Sequence, residues 1–120
     1  MSYVTGLIQQ TELYMFKWFK KEKQVVLISN SGKEFILDSE IPNKIGRGQS
    51  AHVFVDDDLG VSRQNSVVTF DKKMNMYYIQ DTDSKHGTYL NGEQISEKKE
   101  LKSGDIIGIG KYTKFTFGIR

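Results

Sequence analysis

Cysteine is absent from the 120 residues of this chain, and proline occurs only once. A chain without cysteine forms neither a disulfide framework nor a thiolate metal site, and it needs no oxidising compartment. The sequence also lacks the run of ~20 apolar residues that a membrane-spanning helix requires, and it lacks the pattern of a signal peptide. We therefore expect an intracellular protein, cytoplasmic or nuclear, without a membrane span.

The charge of the chain shows little excess of either sign. Seventeen Lys and Arg residues and 15 Asp and Glu residues give a net charge of +2, whereas dedicated nucleic-acid binders carry a dense positive patch. A small β-barrel that stacks single-stranded nucleic acid on Tyr77, Tyr78 or Tyr89 is compatible with the aromatic residues. Because the charge gives that interpretation no support, we predict no nucleic-acid partner.

Short apolar or alternating runs recur between turn signals from residue 24 onward, which is typical of an all-β sandwich or barrel. β-Branched and aromatic residues fill these runs, and clusters of Gly, Asn, Asp and Pro separate them. The predicted strands are 24–29, 34–38, 43–47, 51–55, 65–71, 76–81, 88–91, 105–110 and 114–120. A chain of this length with 38% hydrophobic residues buries one core, so residues 23–120 are predicted to form a single domain.

Residues 1–22 have a different pattern and are predicted to form an N-terminal extension. The stretch GLIQQTELYMFKWFKK has an apolar spacing compatible with a helix and also a run compatible with a strand. In one interpretation, Phe16, Trp18 or Phe19 packs on the sandwich. In the other, this basic aromatic segment contacts a partner or lies on a lipid face as a peripheral contact.

Enzyme motifs are incomplete in this chain. GVSRQ at 60–64 begins like the turn that presents a nucleophilic serine, but Gln64 replaces its second glycine and no strand-to-helix context surrounds it. A phosphate-binding P-loop ending at Lys111 would need a glycine where Asp105 stands and a hydroxyl where Tyr112 stands. We predict no catalytic apparatus and no cofactor.

Metal sites are not predicted either. DTDSKHG at 81–87 starts like a calcium loop, but Lys85 stands where an oxygen ligand is needed. Two isolated histidines without cysteine make no zinc site. Residues 56–58, three consecutive aspartates, are interpreted as a solvated turn.

Three loop motifs follow one another in a fixed order: IGRG at 45–48, VSRQN at 61–65 and SKHGTYLNG at 84–92, with LKSGDIIGIG after them. Their order and spacing resemble the forkhead-associated (FHA) domain over about residues 24–118. The matching positions are Gly46, Arg47, Ser62, Gly87, Thr88, Asn91 and Gly92. The resemblance implies an FHA/SMAD-like sandwich of two largely antiparallel twisted sheets that binds phosphothreonine peptides.

The residue types agree with the anion that the resemblance implies. An arginine offers a planar pair of donors to a phosphate, and a serine hydroxyl adds a shorter-range bond, so Arg47 and Ser62 are the main candidates. The resemblance also places Arg63, Lys85 and His86 beside the phosphopeptide. Loop support is assigned to Gly46, Asn65, Gly87, Thr88, Asn91 and Gly92. The alternative roles are ordinary ones: a solvated strand-end charge at 47, a turn serine at 62, and exposed loop cations at 63 and 85.

Two positions depart from the family pattern. Asn65 stands where the family has a histidine that braces the serine loop, and a shorter amide can do similar work. His86 stands where the family has an asparagine whose amide pairs with the peptide backbone. Because an imidazole directs its donor and acceptor apart, we expect weaker backbone recognition, offset at low pH by the positive charge of a protonated ring.

The leading hypothesis is therefore a non-catalytic interaction module that binds phosphothreonine-containing proteins through loops at one end of a sandwich. The alternative is a degenerate member of the same fold that serves as a scaffold or assembly domain. That domain would bind a protein partner independently of phosphate, through a sheet face or through residues 1–22. Neither hypothesis sets an oligomeric state.

Overall fold

A computed structural model of the chain describes residues 23–120, and the predictions made for residues 1–22 lie outside them. All regular secondary structure in the described part is β-strand. The strands are β1 (Val25–Ser29), β2 (Glu34–Ile36), β3 (Asn43–Gly46), β4 (Val53–Phe54), β5 (Ser66–Asp71), β6 (Met76–Asp81), β7 (Thr88–Leu90), β8 (Glu93–Gln94), β9 (Lys99–Leu101), β10 (Ile106–Ile109) and β11 (Thr113–Ile119).

The strands form two sheets whose inner faces share one core. One sheet has the order β2-β1-β11-β10-β7-β8 and the other has the order β4-β3-β5-β6-β9. The pairing of β3 with β4 is parallel, and the other pairings are antiparallel. The predicted sandwich of two largely antiparallel sheets is confirmed.

Side-chain alternation along the strands builds the core. In β11, Phe115 and Phe117 are 1% and 0% exposed, whereas Lys114 between two buried positions faces solvent. Burying a side chain of this size contributes about 1.5–3 kcal/mol, so the two phenylalanines together contribute about 3–6 kcal/mol to the core. The other fully buried apolar side chains include Leu27, Ile45, Val68, Ile79 and Ile107.

All nine strands predicted from residues 24–120 are present, with ends that differ by at most two residues. The prediction missed β8 and β9. Both are short strands at sheet edges that carry charged or amide side chains, such as Glu93 and Lys99. Polar side chains are suited to an edge because solvent reaches it, but they give no alternating pattern to detect.

The strand register places several loops at one end of the sandwich. Ile45 of β3 lies opposite Ser66 of β5, and Ser66 lies opposite Asp81 of β6. In the other sheet, Thr88 of β7 lies opposite Ile109 of β10, and the Ser66 and Thr88 hydroxyl oxygens are 2.8 Å apart. The loops at this shared end are 47–52, 55–65, 82–87 and 110–112.

Candidate functional site

Arg47 follows β3 directly, at a point where two backbone segments approach closely. A Cβ atom at Gly46 would lie 2.1 Å from the carbonyl oxygen of Arg63, so the chain requires glycine here. The Arg47 backbone N–H donates to the Ser62 carbonyl oxygen at 2.9 Å, and its side-chain Nε donates to the Val61 carbonyl oxygen at 3.0 Å. No hydrogen bond within the described residues uses its terminal guanidinium nitrogens, so they are available to an anion.

The Ser62 side chain joins two of the loops. The backbone N–H of Lys85 donates to Ser62 Oγ at 2.9 Å, which leaves the hydroxyl proton able to donate to a ligand. The Ser62 backbone N–H donates to Asn65 Oδ1 at 3.1 Å. Because Arg47 is bonded to the Ser62 backbone, three loops converge on this serine.

A buried polar network lies beneath these loops. Asn65, Ser66 and Thr88 are 0%, 2% and 0% exposed, so their polar atoms need partners inside the protein. Asn65 Nδ2 donates to Ser66 Oγ at 3.0 Å and to Thr88 Oγ1 at 3.3 Å. Thr88 Oγ1 donates to Asp81 Oδ1 at 2.6 Å. The network ties the start of β5 and the end of β6 to the start of β7.

Asp81 is the charged member of that network. Its carboxylate accepts hydrogen bonds from the Ser84 backbone N–H at 3.1 Å and from the Ser84 hydroxyl at 2.5 Å. Partial burial acts to raise the pKa of Asp81, but the hydrogen bonds from Ser84 and Thr88 outweigh it and hold that pKa below its ordinary value. Ser84 Oγ also accepts from the Gly87 N–H at 2.9 Å. Sequence reasoning missed both Asp81 and Ser84 as loop supports, although Ser84 opens the SKHGTYLNG motif.

Positive backbone φ angles shape the SKHGTYLNG segment. Gly87 has φ +87°, and a Cβ atom there would lie 2.5 Å from Gln94 Nε2. Asn91 and Gly92 have φ 51° and +87°, which fits the two central residues of a tight hairpin turn between β7 and β8. Asn91 Oδ1 also accepts from the Ile106 N–H at 2.9 Å. These two residues lie at the opposite end of β7 from Gly87, so they order that turn and β10 rather than the loops around Ser62.

Arg63, Lys85 and His86 are exposed residues of the same loops. The ion pairs among the described residues join Lys72 with Glu40, Lys99 with Glu97 and Arg120 with Glu34. Neither Arg63 nor Lys85 is therefore neutralised by a described carboxylate. Like the terminal nitrogens of the Arg47 guanidinium, the charged groups of Arg63 and Lys85 are available to an anion.

The solvated-turn interpretation of residues 56–58 is wrong for Asp58, which is 0% exposed. Its carboxylate accepts hydrogen bonds from the backbone N–H groups of Gly60 and Tyr112 at 2.9 and 3.1 Å and from the Thr113 hydroxyl at 2.8 Å. Burial acts to raise the pKa of Asp58, but these bonds outweigh it and lower the pKa to about 2. The carboxylate therefore fastens the serine-bearing loop to the β10–β11 turn.

The three tyrosines considered for base stacking do not form a common platform. Tyr77 is 8% exposed and packs against Phe70 and Phe117 in the core. Tyr78 belongs to β6 and Tyr89 to β7, which are strands of different sheets. The three side chains therefore do not share one face of a sheet.

Residues 23–120 contain no group of three or more His, Asp or Glu side chains placed to hold a metal ion. Over the same range, no helix combines the length and the apolar character needed to cross a membrane.

Comparisons of the sequence with known proteins give a family match over the loops just described. The family model of the FHA domain matches residues 43–110. The chain is 36% identical over 83 residues to an oxoglutarate dehydrogenase inhibitor of Corynebacterium jeikeium, covering 69% of this chain and 54% of that protein. It is 39% identical over 56 residues to the mouse sarcolemmal membrane-associated protein, covering 42% of this chain and 7% of that protein. The chain thus spans about half of one relative and a small part of the other.

Comparisons of the structure agree with this match. A structure from a structural and functional analysis of phosphothreonine-dependent FHA domain interactions has a TM-score of 0.72 and 28% identity, covering 81% of this chain and 97% of that chain. Mycobacterium tuberculosis EmbR in complex with a low-affinity phosphopeptide has a TM-score of 0.69 and 27% identity, covering 79% of this chain and 24% of that chain.

Proposed function

This chain belongs to the FHA domain family, and we propose that it is a non-catalytic interaction module that binds phosphothreonine-containing segments of partner proteins. The observation that carries the proposal is the hydrogen bond from the Lys85 N–H to Ser62 Oγ at 2.9 Å. With the two bonds of Arg47 to the Ser62-bearing loop, it gathers a guanidinium and a hydroxyl at one end of the sandwich. Two similar structures support the same assignment: one comes from an analysis of phosphothreonine-dependent FHA domain interactions, and the other is EmbR in complex with a phosphopeptide.

The chemistry of the site suits a phosphate dianion. A phosphothreonine carries a charge of about −1.5 to −2 at pH 7 and three strong acceptor oxygens. The Arg47 guanidinium supplies two parallel donors, and the Ser62 hydroxyl supplies a third from a different loop. The exposed cations Arg63 and Lys85 add attraction that salt screens. We assign this activity to residues 23–120, with residues 1–22 as an extension.

A phosphate-independent scaffold is the second candidate function, and His86 favours it. The FHA pattern has an asparagine at this position, and a neutral imidazole cannot replace both hydrogen-bonding groups of an amide. His86 is exposed, and its ring forms no hydrogen bond within the described residues. A scaffold would leave the Arg47 donors without a ligand, which is why we prefer phosphate binding.

An NMR titration of the full chain distinguishes the two candidates. A degenerate phosphothreonine peptide pool should shift the backbone amides of residues 47, 62 and 85, and its unphosphorylated twin should not. The Arg47→Ala variant should lose these shifts, whereas Lys44→Ala, which removes an exposed cation from β3, should keep them. Equal shifts with both pools that survive Arg47→Ala would establish the scaffold instead.

A further inference from the structure

A groove crosses the outer face of the six-stranded sheet where β10 carries a glycine. Gly108 pairs with Tyr89 of β7 on one side and with Lys114 of β11 on the other. Its neighbours Ile107 and Ile109 are 0% and 2% exposed and point into the core, so position 108 faces outward. A Cβ atom at Gly108 would meet only the Tyr89 Cβ, at 3.5 Å. The space between the tyrosine and the lysine is therefore open.

This groove is a cavity of about 460 Å³ with a largely apolar lining. Its lining residues include Tyr89 and Ile106 and two lysines, Lys111 and Lys114. Neither lysine belongs to an ion pair among the described residues. An apolar floor next to two unneutralised ammonium groups is complementary to a glutamate or aspartate side chain, which has a short aliphatic part and a carboxylate end.

The groove begins next to the loop that carries Ser62. The Lys111 backbone N–H donates to Asp58 Oδ2 at 3.0 Å, and Asp58 precedes Ser62 by four positions. Four residues span at most ~14 Å, so one end of the groove lies within the reach of an extended peptide held at Ser62. A segment that occupies both places needs several residues between its phosphothreonine and its acidic residues.

We propose that this groove binds acidic residues of the same phosphoprotein, several positions away from the phosphothreonine. The aliphatic part of a glutamate packs on Tyr89 and Ile106 above Gly108, and its carboxylate accepts from Lys111 or Lys114. The inference rests on the proposed function, because the partner is taken to be a phosphothreonine protein. The groove and the loops are separate surfaces, so binding at each can be measured independently.

The test uses two phosphothreonine peptides, one with four glutamates several positions before the phosphothreonine and one with four glutamates several positions after it. Each is compared with a matched peptide that carries four glutamines instead. Fluorescence anisotropy should show one glutamate peptide binding about threefold to tenfold more tightly, as expected for two exposed charge pairs. Gly108→Val fills the groove without changing charge and should abolish this preference while leaving the glutamine peptide unaffected. The matched control is Gly118→Val on the same sheet face, where a Cβ atom would meet Val26 at 3.6 Å. Lys111→Gln with Lys114→Gln should also abolish the preference, and Lys44→Gln should not.

Equal affinity for the two peptides, or a preference that survives Gly108→Val, would overturn the groove proposal. NMR separates this failure from failure of the proposed function. Phosphate-dependent shifts at residues 47, 62 and 85 without glutamate-dependent shifts at 89, 108 and 114 would leave the function standing and the groove refuted. Shifts at 89, 108 and 114 with an unphosphorylated glutamate peptide, but none at the loops with any phosphopeptide, would refute the function and keep the groove as an acidic-segment site.

Discussion

Ser62 and Lys85 lie 23 positions apart in the sequence, yet the backbone N–H of Lys85 donates to the Ser62 hydroxyl oxygen at 2.9 Å. This bond joins the β4–β5 loop to the β6–β7 loop. A network of Asn65, Ser66 and Thr88 beneath it holds the same loops from below. The loops are therefore ordered before a ligand arrives, which lowers the entropic cost of binding.

Gly46→Ala should disrupt the site by forcing apart the two backbone segments that carry Arg47 and Ser62. The added Cβ would lie 2.1 Å from the Arg63 carbonyl oxygen, so one of the two backbone segments must move and carry Arg47 or Ser62 with it. We expect a loss of about 2–4 kcal/mol in the free energy of unfolding and weaker phosphopeptide binding. Urea denaturation measures the first effect. Gly118→Ala is the matched control and should change stability by less than about 0.5 kcal/mol; a similar stability for both variants would contradict the close approach at 46.

Thr88→Val should show that the buried network supports the loops. Valine keeps the shape of threonine but removes the hydroxyl that bonds Asp81, Ser66 and Asn65. Leaving buried polar groups without a partner costs about 1–3 kcal/mol, so the urea midpoint should fall while the slope of the transition stays the same. The exposed Thr116→Val on β11 should have almost no effect. Equal effects of the two substitutions would mean that the network contributes nothing.

Asp58 makes the stability of the protein depend on pH in the acid range. Its folded-state pKa of about 2 lies below its ordinary value of 3.8, so its contribution to stability is complete above about pH 4 and is lost as pH falls from there towards 2. Asp58→Asn should lower the free energy of unfolding at pH 7 by about 2–3 kcal/mol, and the gap between the two proteins should narrow below pH 4. Urea melts from pH 7 to 2 check this, with the exposed Asp57→Asn as control. A gap that stays constant down to pH 2 would contradict the role of the carboxylate.

His86 should weaken recognition of the peptide backbone, because an imidazole directs its donor and acceptor apart and cannot replace both hydrogen-bonding groups of an amide. His86→Asn should therefore bind one phosphothreonine peptide more tightly than the natural chain does in anisotropy titrations. Equal affinities of the two proteins would show that the side chain at position 86 does not contact the peptide.

Most of the fold could be predicted from local pattern. Runs such as KFTFGIR alternate because β11 buries one side of its strand, and this signal needs no knowledge of the rest of the chain. The strands β8 and β9 carry no such signal, since their polar side chains lie at exposed edges. The loop motifs around Arg47 and Ser62 could also be predicted from the sequence, because glycine and other turn residues identify them locally.

The support of the site could not be predicted in the same way. Asp58 looks like one of three solvated carboxylates, and only the three-dimensional fold brings it to the amides of Lys111, Tyr112 and Thr113, which lie more than 50 positions away. Asp81 was missed for a different reason: its donors Ser84 and Thr88 lie only three and seven positions away, but a strand-end aspartate is usually solvated. At Asp58, the hydrogen-bond donors contributed by the β10–β11 turn make burial of the charge acceptable.

The central claim is that Arg47 and Ser62 bind one phosphate together. Isothermal titration calorimetry of one phosphothreonine peptide and its threonine twin tests it on the natural chain, Arg47→Ala, Ser62→Ala and the double variant. We predict binding of the phosphopeptide alone, a loss of at least tenfold in Kd for each single variant, and a double variant that loses less than the product of the two, because both side chains contact one group. Equal Kd values for the two peptides, or single variants that bind the phosphopeptide as the natural chain does, would contradict it.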